Sequence, residues 1–172
     1  CDSTTLANAL ITTQNSSTPI ILDTRVCGAV TNLAGYNLVL KSDTVIITNG
    51  FNMGGNDIQA SSAPDKRLWI IIPDALADHV PTCPTGSSAT ISTHVTVGSH
   101  VWAMVYSPCP ISNRGDVWQG QMYGSSVNSS AAFTLNFLPI GLPTVNLSTG
   151  EILPTSAAGV LGDRTSIRDL SS

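Results

Sequence analysis

The chain has 172 residues, a length that suits one domain with an adequate apolar core. Only 10% of them are charged, against roughly 25% in ordinary soluble domains, and the formal net charge is −4. Seven basic residues leave no electrostatic footprint for nucleic acid, and no run of about 18 apolar residues exists to span a membrane.

Gly, Ser, Thr and Asn take the place of the missing charges. Surface helices cover their wet faces with Lys and Glu, so little material for such helices is present. In chain order, Asp2 or Ser3 caps a short helix through Thr4–Ile11, with Leu6, Leu10 and Ile11 on one face. Residues 12–19 read as a polar loop. Strand-like structure begins at Ile20–Leu22 and continues in short segments at Arg25–Val30, Tyr36–Leu40 and Thr44–Thr48, each ending near Gly, Asn or Asp. Leu38–Leu40 and Val45–Ile47 are continuously apolar, as buried parallel strands are. Asn49, Asn52 and Asn56 are placed to stack as an internal ladder.

The most apolar strand is Leu68–Ile72, followed by a long Pro-rich excursion over residues 73–88. Thr90–Val97 alternates with period two, giving one wet face. Strands at Val101–Tyr106, Val117–Tyr123 and Ala132–Phe137 follow, separated by polar turns. Apolar runs returning at roughly 15–30 residues match the period of stacked coils. The expected fold is therefore all-β: a right-handed parallel β-helix (β-solenoid) with a short N-terminal capping helix. It is expected as one domain over 1–172, with cap and loop at 1–19, solenoid at 20–137 and an irregular tail at 138–172.

Four cysteines, Cys1, Cys27, Cys83 and Cys109, form no CxxC pair and have no histidine partner of zinc spacing. An even count in a charge-poor chain points to two disulfides and an oxidising compartment. Three connectivities are open; the sequential one, Cys1–Cys27 with Cys83–Cys109, joins neighbouring coils. A cysteine in first place also admits a lipidated mature terminus.

The order of features from Arg67 to Phe137 resembles a known family. Leu68-Trp69-Ile70-Ile71-Ile72 leads into an insertion, then Val101-Trp102-Ala103-Met104-Val105-Tyr106-Ser107-Pro108, a polar turn, and Trp118-Gln119-Gly120-Gln121-Met122-Tyr123-Gly124. This is similar to the C-terminal β-solenoid domain of bacterial PilX-like pilus-assembly proteins. There a strand ending in Tyr-Ala-Pro precedes a turn and a Gly-containing strand; Tyr106-Ser107-Pro108 and Gly120–Gly124 hold those places here. The chain departs from the pattern in its cysteines and in lacking the apolar N-terminal helix that would anchor a pilin-like subunit. The resemblance implies a minor-pilin-like subunit at the cell surface (fimbrium), with other appendage subunits or surface glycans as partners. It also implies membrane contact only through a segment absent from this chain, and it supplies no catalytic residues.

Candidate chemistry is sparse. His79, His94 and His100 are dispersed; His94 and His100 with Asp116 or Asp78 form the best metal set, and ordinary loop and face histidines explain them better. No metal, cofactor or catalytic residue is expected. Arg114 with Asp116, and Asp65 with Lys66 and Arg67, are the charged groups nearest to a carbohydrate-cleaving arrangement, yet both sit in turns where charges are usually only solvated. Trp69, Trp102 and Trp118 sit mid-strand, either filling the core or stacking on sugar rings. The contact candidates are thus Trp69, Trp102, Trp118, Arg114 and Asp116, with loops 73–88 and 107–116 as the contact surface. The function expected is a non-enzymatic extracellular structural or adhesive subunit, the alternative a carbohydrate-binding or carbohydrate-active β-helix.

Overall fold

The computed structural model describes residues 3–60, 63–76, 78 and 80–141. The chain divides into two compact units, Cys1–Ile140 and Gly141–Ser172; of the second, only Gly141 is described. The expectations for Asp2, His79 and most of the 138–172 tail fall outside the described residues, as does that for Cys1.

The first unit opens with α1 (Ser3–Asn15), followed by β1 (Ile20–Asp23), a 3-10 turn at Arg25–Cys27, β2 (Thr31–Asn32), β3 (Leu38–Leu40), β4 (Thr44–Ile47), β5 (Phe51–Met53) and β6 (Asn56–Ala60). It continues with β7 (Lys66–Ile71), β8 (Ala89–Ile91), β9 (Val95–Val97), β10 (Val101–Tyr106), β11 (Ile111–Asn113), β12 (Val117–Tyr123), β13 (Val127–Ser129) and β14 (Thr134–Phe137). All strand pairs are parallel. They form a nine-stranded sheet, ordered β1-β4-β7-β10-β12-β9-β6-β3 with β14 on β12, and a five-stranded sheet, ordered β13-β11-β8-β5-β2.

This topology corrects the expectation of a right-handed parallel β-helix (β-solenoid) with a short capping helix. What forms, among the described residues, is a fold of two parallel sheets with one helix of 13 residues. β12 is the reason. Its first residue pairs with β9 and its last four pair with β10, so strands expected on separate faces merge into one curled sheet. The continuous apolar runs have a second cause as well. Leu68, Ile70 and Val105 face the main core, but Val45, Trp69 and Met104, which alternate with them, are buried too. The middle of the large sheet is thus covered on both faces, as parallel sheets usually are. Beyond Met104 in the same cross-strand row lies Gln121, whose Oε1 accepts the backbone N–H of the buried Ile140 at 2.8 Å.

The main core lies between the sheets and includes Phe51, Met53, Ile58, Leu68, Ile91, Val105 and Trp118. Leu6 and Leu10 of α1 join it at the β1–β3 end, whereas Ile11 stays exposed. Polar groups at the corners are satisfied internally. The hydroxyls of Thr24, Thr31 and Thr48 form a buried chain at 2.9 and 3.0 Å. The predicted asparagine ladder does not form as such, because each side chain serves a different corner. Asn49 donates to the Arg25 and Gly28 carbonyls, Asn52 to Asn32 Oδ1, and Asn56 to the Leu33 and Tyr36 carbonyls. At Asn49 and Asn56 the main-chain acceptors left open by a turn outcompete a second side chain; Asn52 alone of the three pairs with another asparagine.

Cys83 and Cys109 are bridged across a sequence separation of 26, as expected. Closing a loop of that size contributes on the order of 3 kcal/mol in the chain-entropy account. Cys27 is disulfide-bonded as well.

Beside the 3-10 turn, the Asp23 carboxylate accepts from the Arg25 guanidinium at 2.6–3.1 Å and from the Arg25 backbone N–H at 3.0 Å. These bonds, the side-chain ones foremost, hold its pKa at about 2, below the ordinary 3.8. A depressed carboxylate pKa contributes stability above the unfolded value and loses it as pH falls through the folded one. The window is therefore between about 4 and about 2, and the effect at this exposed pair is small and salt-sensitive. An NMR titration should place the Asp23 midpoint near 2, and Arg25→Ala should return it toward 3.8. An unchanged midpoint in the variant would remove Arg25 as the cause.

Candidate functional site

The turns that lead into β3, β6 and β9 stack on one another. Extending the registers Leu38↔Ile58 and Asn56↔Val95 to these turns aligns Gly35, Gly55 and His94. All three have left-handed backbones, with φ of 79°, 63° and 59°. Glycine enters this region freely, and a side chain there costs roughly 1–2 kcal/mol. His94 is the only non-glycine residue with positive φ among the described residues. Strain of this kind persists where the surroundings enforce it, and such positions cluster at functional sites.

His94 lines a shallow, open depression together with Gly55, Asn56, Asp57, Thr96 and Asp116. Asp57 and Thr96 are cross-strand neighbours on β6 and β9. Asp116 is set by backbone bonds on both sides: its N–H donates to the Val95 carbonyl at 3.1 Å, and its carbonyl accepts from Thr134 at 3.0 Å. Asn56 forms the buried floor, and its Oδ1 accepts the Gly54 N–H at 2.6 Å. Two exposed carboxylates and one exposed imidazole therefore meet on a rigid strand frame. Such a surface can accept hydrogen bonds from hydroxyl or amino groups and exchange a proton through the imidazole. No group of three or more His, Cys, Asp or Glu able to hold a metal occurs among the described residues.

Relief of the backbone strain gives a direct check. His94→Gly should raise unfolding stability by about 1 kcal/mol in chemical denaturation. A stability equal to or below that of the parent would show that the side chain contributes more than its backbone costs.

The other sequence-derived candidates are dispersed. His100 does not join His94; its Nδ1 lies 2.8 Å from Asp65 Oδ1. Arg114 is exposed and forms no ion pair with Asp116. The Arg67 N–H donates to Asp43 Oδ1 at 2.9 Å, and the Lys66 N–H to the His100 carbonyl at 2.9 Å. Trp118 is buried in the main core, Trp69 is buried on the opposite face of the large sheet, and Trp102 is half-buried in register with Arg67. In the segment 107–116, Ser107, Pro108, Cys109, Ile111, Asn113 and Gly115 are buried, leaving Pro110, Ser112, Arg114 and Asp116 to solvent. Loop 73–88 exposes Leu76 and Val80, and Asp74 Oδ1 ties its two limbs by accepting the Leu76 and Thr82 N–H groups.

Asp57 was missed by sequence reasoning. Only the parallel register of β6, β9 and β12 brings it near His94 and Asp116. A histidine in a Ser-Thr-His turn, where earlier turns carry glycine, was the available signal. Among the described residues no helix is long and apolar enough to cross a membrane. No family model, curated protein or solved structure matches this chain.

Proposed function

We propose that this chain is a non-enzymatic extracellular structural or adhesive subunit of a surface appendage, meeting its partners through loops carried on the parallel sheets. The observation that supports this reading is the loop over residues 73–88. It presents the exposed apolar side chains Leu76 and Val80 while Cys83 is bridged to Cys109. Cys109 is buried just past the end of β10, so the loop is anchored beside a strand that pairs on both sides within the large sheet. Contact residues commonly sit on loops held by a rigid scaffold, and disulfides of this kind persist in the oxidising compartments where an extracellular subunit works.

The test is adhesion of purified protein to cells or to isolated appendages, with Leu76→Ser and Val80→Ser introduced together. Binding should drop at least about tenfold, a loss of about 1.4 kcal/mol, while the circular dichroism spectrum stays unchanged. Binding equal to that of the parent protein, or cleavage of a glycan by the protein alone, would end this reading.

A carbohydrate-binding role is the second reading, and the His94–Asp57–Asp116 depression is what favours it. Its acceptor-rich surface suits sugar hydroxyls. In that case His94→Ala abolishes glycan retention and the loop variant leaves it intact.

A further inference from the structure

The two ends of the first unit are finished differently. At the β1–β3 end, α1 inserts Leu6 and Leu10 into the core. At the other end the last strands are β13 and β14, and among the described residues no strand pairs with their outer edges. Their side chains continue the core rows. Val127 stands in register with the buried Ile111, Leu135 with the buried Trp118, and Phe137 with Gly120. In register, neighbouring strands point their side chains the same way. Yet Val127, Leu135 and Phe137 are 44%, 45% and 65% exposed. Phe133, beside them, packs against the core and is only partly covered. Among the described residues, nothing covers the interior of the first unit at this end.

The open end also lacks the usual protection. Natural edge strands carry Lys, other charged residues or Pro, which block pairing with another chain. From Val117 to Ile140 there is no Lys, Arg, His, Asp or Glu. A charge-free surface meets itself without like-charge repulsion, and it offers nothing to a strongly charged partner. The opposite end is closed by α1, which removes the arrangement in which one copy's tail stacks on the next copy's head.

We infer that two copies of this chain associate through their β13–β14 ends, open edge to open edge about a twofold axis. Such an isologous contact lets the unpaired backbone of β13 or β14 bond to its counterpart and sets Val127, Phe133, Leu135 and Phe137 against the same residues of the second copy.

Sedimentation velocity of the full chain over a wide concentration range tests this. The parent protein should reach a dimer and stop there. Leu135→Lys with Phe137→Lys places like charges across the axis and should raise the dissociation constant at least tenfold. Ile21→Lys, on an exposed residue of β1 at the opposite end, should leave it unchanged. If the double variant folds poorly, hydrogen exchange of the parent decides: amides of β13 and β14 should gain protection at high concentration, while those of β1 should not. A parent that stays monomeric, a double variant that still dimerises, open-ended polymers, or protection gained at β1 instead would each overturn the inference.

Discussion

Gly120→Ala is expected to destabilise the protein by about 3 kcal/mol or more, enough to remove a large part of a typical domain's stability. Gly120 lies where β12 exchanges partners, opposite Ala103 of β10 on one side and Phe137 of β14 on the other. Its φ is 131°, a conformation that side chains rarely adopt. A Cβ there would collide with the Ala103 carbonyl oxygen and would also lie 2.8 Å from the Ala103 backbone nitrogen and carbonyl carbon. Those atoms belong to β10, held by β7 on one side and β12 on the other, so they have nowhere to retreat. Gly28→Ala separates the two causes. Gly28 also has positive φ, at 103°, but a Cβ added there meets nothing within 4 Å. It should cost only about 1 kcal/mol, the conformational part alone. Equal losses in the two variants, measured by urea denaturation, would show that close approach at Gly120 is not the cause.

Trp118→Ala should cost about 3–5 kcal/mol, the range for removing a large aromatic side chain from a packed core. Trp118 is 1% exposed, and its Nε1–H donates to the Ala103 carbonyl at 3.0 Å. The ring therefore fills core volume and also ties β12 to β10 beside the Gly120 crossing. Trp118→Phe keeps most of the volume and removes the donor, so it should lose about 1–2 kcal/mol from the unpaired carbonyl and the smaller ring. Trp102→Phe, at a half-buried position, should change stability by no more than about 0.5 kcal/mol. If Trp102→Phe proved as costly as Trp118→Phe, the assignment of Trp118 as the core tryptophan would fail.

These positions also show how much could be read from the amino-acid order. Strands β10 and β12 span the residues expected from their apolar runs, and β7 begins two residues before the expected Leu68. The strand expected over Thr90–Val97 is instead two strands, β8 and β9, broken by the left-handed turn at His94. Period-two alternation continued across that turn, so hydrophobicity carried no sign of it. The sheet arrangement was less legible. Continuous apolar runs at Val45–Ile47 and Leu68–Ile72 fit a stack of separate coils and a sheet covered on both faces equally well. Nothing in the order of residues announces that β12 pairs with both β9 and β10. For the same reason the three tryptophans could not be sorted: mid-strand placement does not say which face is covered, and here Trp69 and Trp118 are buried on opposite faces. The depression around His94 was half visible, since His94 and Asp116 were both noticed, whereas Asp57 joins them through register alone.

The strand pairing has a consequence for synthesis. From β4 onward, every strand lies against a strand that precedes it in the chain, and β12 receives both of its earlier partners, β9 and β10, already made. Domains generally form N-terminal first as they leave the ribosome. Growth of this protein can therefore follow translation, each emerging strand adding to a finished template, with α1 and its two buried leucines closing the starting end before the template lengthens.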